Sequence, residues 1–280
     1  MVNDEWTWKS KDGLEMFSRS WAPEETPKAV VCFVHGLGDH SGRYANIGKA
    51  FTEAGFFLTA FDLRGHGKSG GQRGHFPSLD AAMDDIHQHI RQASEKFPGL
   101  PVFLYGHSLG GLLVLNYATY HKHTLSGVIV TGAGLRSPVL EQKAKIALAK
   151  VLGGLLPTMA IPTGLDQNSL SRNPEVVRGY REDPLVHDRA TLSTTVHIGI
   201  FAVERVFAHA ADFNTPLLLM HGAADRLTYP HGSQEFAALV PENCTVKLWD
   251  GLYHEIHNEP EQNEVFAFMI DWMNSQLRNK

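Results

Sequence analysis

The sequence has little cysteine, no basic cluster and no long apolar run, and each absence excludes a class of protein. Cys32 and Cys244 are the only cysteines, too few for a disulfide framework. Thirty acidic residues outnumber 25 basic ones, for a net charge of −5, which argues against a nucleic-acid partner. No segment approaches the ~18 consecutive apolar residues of a membrane span. The acidic start of the chain lacks the apolar stretch of a signal peptide, so we expect a soluble, cytoplasmic protein.

The chain does contain enough apolar residues for a large core, since 43% of its 280 residues are hydrophobic. An alternating stretch at 6–23 predicts a β-hairpin. Further strands are predicted at 29–34, 56–61, 102–105, 127–131, 216–220 and 245–249, and helices at 43–54, 78–97, 110–122, 232–239 and 260–278. Near-continuous apolar strands that alternate with amphipathic helices indicate an α/β fold, with a mostly parallel sheet flanked by helices on both faces.

One interval interrupts this alternation, because no clear strand occurs between 127–131 and 216–220. A structureless loop of roughly 80 residues is implausible inside a compact domain. The segment 139–161 is apolar and helical in character. We therefore predict a helical cap at 135–207, inserted into a core formed by 1–134 and 208–280.

Residues 106–110 carry the pattern G-x-S-x-G between a predicted strand and a predicted helix. A chain that turns from strand to helix within a few residues crowds the neighbours of the central residue. Gly106 and Gly110 remove the side chains that would collide, and Ser108 is left exposed at the end of the sheet. We predict that Ser108 is a nucleophile. The alternative is an ordinary serine in a glycine-rich turn.

A serine nucleophile needs a histidine base that is held by an acid. Asp225 and His254 follow two successive predicted strands, at the ends where reactive groups of a parallel sheet gather. We predict the triad Ser108, Asp225 and His254. Asp212 and Asp250 are less well placed as acids, and His257 is an alternative base.

Two other patterns resemble binding motifs but do not fit them. Residues 254–257 read His-Glu-Ile-His, one residue short of the H-E-x-x-H motif of zinc enzymes. Residues 65–70 fit G-x-G-x-x-G, but further glycines and Pro77 keep the chain from opening a helix there. We therefore predict no metal, no nucleotide and no other cofactor.

Acyl transfer also needs N–H donors for the developing oxyanion, each of which lowers the barrier by roughly 3 kcal/mol. The backbone N–H of Leu109, directly after the nucleophile, is predicted as one donor. Leu37, in the loop that follows strand 29–34, is predicted as the other. His35 is interpreted as a brace for that loop.

Four blocks, at 35–44, 62–69, 106–111 and 253–259, together resemble the monoacylglycerol lipase and lysophospholipase-like branch of the α/β-hydrolases. The resemblance spans residues 8–275 and includes 170–173 and 180–185. It implies the α/β-hydrolase fold and an esterase that releases one fatty acyl chain from glycerol. In that family a polar cluster beside the triad holds the glycerol. Its counterparts here are Asp39, Arg43, Tyr180 and His257, although Asp39 is shorter than the glutamate common among relatives. For Arg43 and His257 a surface ion pair and a capping histidine are the alternatives.

The predicted cap suits a lipid substrate. Its apolar side chains are Val139, Leu140, Ile146, Leu148, Val151, Leu152, Leu155, Leu156, Met159 and Ile161, with Lys143, Lys145 and Lys150 between them. Burying an acyl chain contributes ~0.8 kcal/mol per methylene, and such a segment also favours peripheral contact with a lipid surface. We expect a monoacylglycerol lipase. Lysophospholipase activity, a carboxylesterase for short acyl esters and a non-enzymatic receptor are the alternatives, and the oligomeric state is not predicted.

Overall fold

A computed structural model of the chain describes residues 2–121, 124–138, 140, 142–240 and 243–278. Eight of its strands form one large sheet. In chain order they are β1 (Val2–Lys9), β2 (Glu15–Ala22), β3 (Ala29–Val34), β4 (Phe56–Phe61), β5 (Val102–His107), β6 (Gly127–Thr131), β9 (Leu217–Gly222) and β10 (Cys244–Trp249). Two short strands, β7 (Ala160–Pro162) and β8 (Arg189–Thr191), form a separate antiparallel pair.

The strand order across the large sheet is β1-β2-β4-β3-β5-β6-β9-β10. The hairpin partners β1 and β2 pair antiparallel, and so do β2 and β4. Every pair from β4 to β10 is parallel. The α/β-hydrolase fold with a mostly parallel sheet is thereby confirmed. The carboxyl ends of the parallel strands lie at one edge, where loops can combine side chains from several strands.

Helices cover both faces of this sheet. In chain order the helices of the described residues are α1 (Ala45–Glu53), α2 (Leu79–Lys96), α3 (Leu109–Tyr120), α4 (Lys143–Leu155), α5 (Pro174–Glu182), α6 (Leu192–Thr194), α7 (Ala202–Ala208), α8 (Pro230–Ala237) and α9 (Gln262–Arg278). One apolar core packs α2, α3 and α7 on one face, and a second packs α1 and α9 on the other. The strands β3 to β6 and β9 are buried along their whole length, which explains their unbroken apolar sequence.

The segment between β6 and β9, which contains the predicted cap and is called the insertion below, connects two neighbouring strands of the sheet. It contains α4 to α7 and, contrary to the expectation of no strand, the pair β7 and β8. A π-helical stretch, Thr195–Phe201, joins α6 to α7. Val203 and Val206 of α7 belong to the apolar core, so the end of the insertion packs as part of the sheet layers.

The apolar side chains predicted at 139–161 are only partly covered. Leu148, Val151, Leu155, Leu156 and Met159 are exposed. Val139 lies outside the described residues, and so do the side chains of Lys143 and Lys145. Across the described helices, none combines the length and apolar character that a membrane crossing requires.

Candidate active site

Ser108 lies between β5 and α3 in a strained backbone conformation. Its φ of 56° and ψ of −117° make it the one non-glycine residue with positive φ among the described residues. A Cβ on Gly106 would lie 2.3 Å from the Gly110 carbonyl oxygen, and a Cβ on Gly110 would lie 2.1 Å from the Val34 carbonyl oxygen. Both distances are too short for real atoms, so this turn requires glycine on each side of the serine.

The structure brings Ser108, His254 and Asp225 together. His254 Nε2 lies 2.9 Å from Ser108 Oγ, and His254 Nδ1 lies 2.7 Å from Asp225 Oδ2. The sheet sets this meeting point, because the Ser108 N–H donates to the Thr131 carbonyl at the end of β6 and the Gly132 N–H donates to Met220 of β9. The predicted triad thus has the hydrogen-bond sequence that proton transfer from the serine to the histidine requires.

His254 and Asp225 each favour the charged form of the other. Burial alone would lower the pKa of His254, but the Asp225 carboxylate outweighs it and places that pKa above its ordinary value of 6.5. Burial alone would raise the pKa of Asp225, but His254 and a hydrogen bond from His221 hold it below its ordinary value. Asp225 therefore stays ionised and can stabilise an imidazolium.

The alternative acids, Asp212 and Asp250, and the alternative base, His257, do not form hydrogen bonds with Ser108 in the described contacts. Asp212 contacts His209 at 3.0 Å, and Asp250 is exposed. His257 is fully buried, stacks on Tyr44 at 5.0 Å, and neither of its ring nitrogens has a hydrogen-bond partner among the described residues. Burial lowers the pKa of His257 to about 4, so this ring is neutral near pH 7.

Leu37 and Leu109, the predicted oxyanion donors, both lie close to Ser108. Leu109 begins α3 directly after the serine, and Leu37 lines the cavity beside it. Within the described part of the chain, no backbone hydrogen bond occupies either N–H. His35 braces the Leu37 loop, because its Nδ1 contacts the Gly36 carbonyl at 2.8 Å and its Nε2 accepts from the Leu63 N–H at 2.9 Å.

The polar residues predicted to hold glycerol form one cluster. Arg43 donates two 2.9 Å hydrogen bonds to Glu255 and lies 3.0 Å from Asp39. The Arg43 guanidinium also lies 4.7 Å from the Tyr180 ring centre. Asp39 and Tyr180 line the cavity beside Ser108, whereas Arg43 and His257 are not among its lining residues.

This cavity has a volume of about 50 Å³ and joins polar and apolar walls at Ser108. Its apolar wall is formed by Leu165, Leu170 and Leu227. None of the described residues of 139–161 lines it, which differs from the expectation for the predicted cap.

Three residues of the site were not anticipated. Glu255 lines the cavity and binds Arg43. His221 Nε2 lies 3.0 Å from Asp225 Oδ2, and the Thr228 hydroxyl lies 2.9 Å from the same oxygen. The signal that could have suggested Glu255 was its position next to His254. Thr228 and His221 carry no such signal.

Two patterns in the sequence resemble binding motifs, and their local structure is as follows. After the glycine-rich loop at 65–70 the next helix, α2, begins only at Leu79. Across the described ranges, no three His, Cys, Asp or Glu side chains are grouped to hold a metal ion.

The sequence and fold match known hydrolases. Residues 25–261 match the family described as serine aminopeptidase, S33. An uncharacterised abhydrolase domain-containing protein of Dictyostelium discoideum is 39% identical over 93% of this chain, which spans 28% of that protein's length. The monoacylglycerol lipase of Mycolicibacterium smegmatis is 35% identical over 95% of both chains. The crystal structure of Paleococcus ferrophilus monoacylglycerol lipase superposes with a TM-score of 0.85, at 37% identity over 93% of this chain and 99% of that one.

Proposed function

The chain belongs to the monoacylglycerol lipase-like family of α/β-hydrolases, which are serine hydrolases, and from this membership we propose that it hydrolyses monoacylglycerols to fatty acid and glycerol. The observation that carries the proposal is the hydrogen-bonded series Ser108–His254–Asp225 at the wall of a cavity. The relatives named above as monoacylglycerol lipases support the choice of ester.

In the first step Ser108 Oγ attacks the ester carbon while His254 Nε2 takes the serine proton. Asp225 keeps the imidazole oriented and stabilises its positive charge. The 2.9 Å contact suits transfer of the serine proton to His254, and the 2.7 Å contact suits the orienting hydrogen bond between His254 and Asp225. The negative charge on the former carbonyl oxygen is stabilised by the N–H groups of Leu37 and Leu109.

Collapse of this intermediate breaks the bond to the glycerol oxygen, which takes the proton from His254. The acyl group remains on Ser108 as an ester. A water molecule then gives its proton to His254 and attacks that ester. The bond between the acyl carbon and Ser108 Oγ breaks, Oγ takes the proton back from His254, and the fatty acid leaves. Both halves of the reaction use the same three side chains and the same N–H donors.

The two walls of the cavity suit the two parts of a monoacylglycerol. Leu165, Leu170 and Leu227 offer apolar contact for the acyl chain. Asp39 and Tyr180 offer polar contact for the glycerol. Arg43 supports this end from behind, through its contacts with Asp39 and with the Tyr180 ring.

We also propose that the insertion contacts lipid surfaces. Val151 and Leu155 of α4 are 63% and 72% exposed, and Leu156 and Met159 continue the exposed apolar face. Entry of exposed apolar side chains into the interface of a lipid aggregate lowers the free energy of the system. Monoacylglycerols reside in such aggregates.

A comparison of three esters tests the proposed substrate. The purified protein is assayed under the same conditions with decanoylglycerol, with decanoyl lysophosphatidylcholine and with a short-chain nitrophenyl ester. The value of kcat/KM is measured for each ester. We expect decanoylglycerol to give the highest value. A higher value for the lysophospholipid or for the nitrophenyl ester would replace the proposal with lysophospholipase or carboxylesterase activity.

A further inference from the structure

Two buried carboxylates share a single cation at the polar end of the cavity. Asp39 and Glu255 are 4% and 2% exposed, and both line the cavity. Arg43 reaches both, at 3.0 Å from Asp39 and through two 2.9 Å hydrogen bonds to Glu255. Lysine and arginine are absent from the described residues that line the cavity. This end of the cavity therefore carries a net negative charge.

The nearby titratable groups do not cancel that charge. His257 is neutral near pH 7 because burial lowers its pKa. His254 is paired with Asp225, a further carboxylate, so this pair adds no net positive charge. Behind the cluster, His40 pairs with Asp183 at 2.9 Å, so the insertion contributes another acid from that side.

Both carboxylates retain capacity to accept a hydrogen bond. A carboxylate offers about four acceptor positions. Glu255 Oε1 accepts from Arg43, and Oε2 accepts from Arg43 and from Asn258. Asp39 Oδ1 accepts from the His40 N–H, and Oδ2 accepts from the Tyr44 hydroxyl and also lies 3.0 Å from Arg43 Nη1. One position therefore remains on Glu255 Oε1 and one on Asp39 Oδ1.

The two terminal nitrogens of the Arg43 guanidinium, unlike the remaining acceptor positions of the carboxylates, are already used by Glu255 and Asp39. Nη1 and Nη2 are used by Glu255, and Nη1 also lies beside Asp39. The guanidinium does not line the cavity. A phosphate that entered beside Ser108 would meet two carboxylates before it met their shared cation.

We propose that Glu255, together with Asp39, selects leaving alcohols that carry free hydroxyl groups and rejects those that carry a phosphate. This inference rests on the proposed function and specifies its substrate class. Hydroxyl groups of a neutral polyol can donate to the remaining acceptor positions on the two carboxylates. A phosphate has no hydrogen to donate when fully ionised, and like charges placed together in a desolvated site oppose binding.

Two esters that differ only in the phosphate test this selectivity. Decanoylglycerol is compared with the ester in which one free glycerol hydroxyl carries a phosphate, both below their micelle concentrations. Rates are measured as kcat/KM for the wild-type protein, Glu255→Gln and Asp39→Asn. Glu175→Gln serves as a matched control, since Glu175 is exposed on α5, pairs with Arg178 and is remote from the lining residues.

We expect the wild-type protein and Glu175→Gln to prefer the neutral ester by the same factor. Glu255→Gln removes one negative charge and keeps the size of the side chain, so the preference should fall by about tenfold or more. Asp39→Asn removes the other charge and should act in the same direction. Labelling of Ser108 by a fluorophosphonate probe shows which variants retain an assembled site, and either assembled variant decides the question.

The results separate this inference from the proposed function. An assembled Glu255→Gln or Asp39→Asn variant with the wild-type preference overturns the inference, and so does a wild-type protein that hydrolyses both esters equally well. A wild-type protein that hydrolyses neither ester overturns the proposed function and the selectivity with it.

Discussion

Ser108 has a backbone conformation that its own side chain disfavours, and the surrounding residues maintain it. Its N–H donates to Thr131, and its carbonyl accepts from Leu112 and Gly134. Strain of this kind persists only where neighbouring contacts determine the backbone. Here it presents the hydroxyl to His254 at the end of β5.

Gly106→Ala should disrupt this turn. The added methyl would lie 2.3 Å from the Gly110 carbonyl oxygen, so we expect a loss of about 3 kcal/mol or more in the free energy of unfolding, together with loss of esterase activity. Gly179→Ala is the control, because it lies in α5 with nothing within 4 Å of the added carbon. It should stabilise the protein by about 0.5–1 kcal/mol. Urea unfolding of both variants measures the difference, and equal stabilities would contradict this description of the turn.

His254 should determine how activity depends on pH in the acid range. The ring accepts the serine proton only when neutral, and its pKa lies above the ordinary 6.5 because of Asp225. The acid limb of kcat/KM should therefore have its midpoint above pH 6.5. Asp225→Asn should move the midpoint to lower pH and reduce kcat by about 10⁴-fold. A pH profile with a soluble nitrophenyl ester measures both, and an unmoved midpoint in the variant would refute the role of Asp225.

The residue types and spacing indicated Ser108, Asp225 and His254 because each follows a predicted strand. The same reasoning did not find Glu255 as a member of the polar cluster. Its partner Arg43 is 212 positions away in the chain, and only the fold brings the two together. Sequence spacing carries no information on such a contact.

The elements of the insertion are attached to the sheet domain unequally. The strand β8 and helix α6 are held to the loop at 74–77, since Thr191 N–H and Thr194 Oγ1 donate to the Gly74 carbonyl and Ser193 Oγ donates to Phe76. The exposed face of α4 has no such attachment among the described contacts. Its apolar side chains are therefore available to a lipid surface.

Charges on the α4 face should weaken lipid binding. Val151→Asp combined with Leu155→Asp replaces two exposed apolar side chains, so we expect the fraction of protein that sediments with phospholipid vesicles to fall severalfold. Hydrolysis of a soluble short-chain ester should change little, because neither residue lines the cavity. Leu239→Asp, at another exposed apolar position, is the control for added charge. Sedimentation of the double variant equal to that of the control would exclude α4 as the lipid contact.

The sequence predicted long buried elements better than short ones. Strands β3, β4 and β6 have the predicted bounds because each is a mostly apolar run of five or six residues between polar or glycine residues. Strands β7 and β8 have three residues each, too few to show a periodicity. The π-helical stretch Thr195–Phe201 is likewise not encoded by any simple pattern.

At the scale of the molecule, the described residues include five fully or almost fully buried histidines with lowered pKa values. Burial lowers the pKa of each of them; they are His35, His66, His89, His107 and His257. A folded-state pKa below the unfolded value means that the unfolded chain binds more protons as the pH falls. Such groups stabilise the fold above pH 6.5 and lose that contribution in acid. His254 has the opposite shift, but it is one group against seven, since burial also lowers the pKa values of His75 and His187.

The free energy of unfolding should therefore decrease as the pH falls from 6.5 towards 4. Each histidine contributes a slope of up to about 1.4 kcal/mol per pH unit in this window. His89→Phe should make the slope shallower, since the pKa of His89 is lowered to about 4. His231→Gln, at an exposed position, should leave the slope unchanged. Urea unfolding at several pH values measures the slopes, and an unchanged slope for His89→Phe would count against this explanation.

Covalent labelling of the folded protein tests the central claim most directly, namely that His254 and Asp225 make the Ser108 hydroxyl a nucleophile. The protein is treated with a fluorophosphonate, and the adduct is located by mass spectrometry of its peptides. We predict one adduct, on Ser108, that forms at least about a hundredfold more slowly in His254→Ala and not at all in Ser108→Ala. A folded wild-type protein without an adduct, or a Ser108→Ala protein labelled at the wild-type rate, would contradict the account.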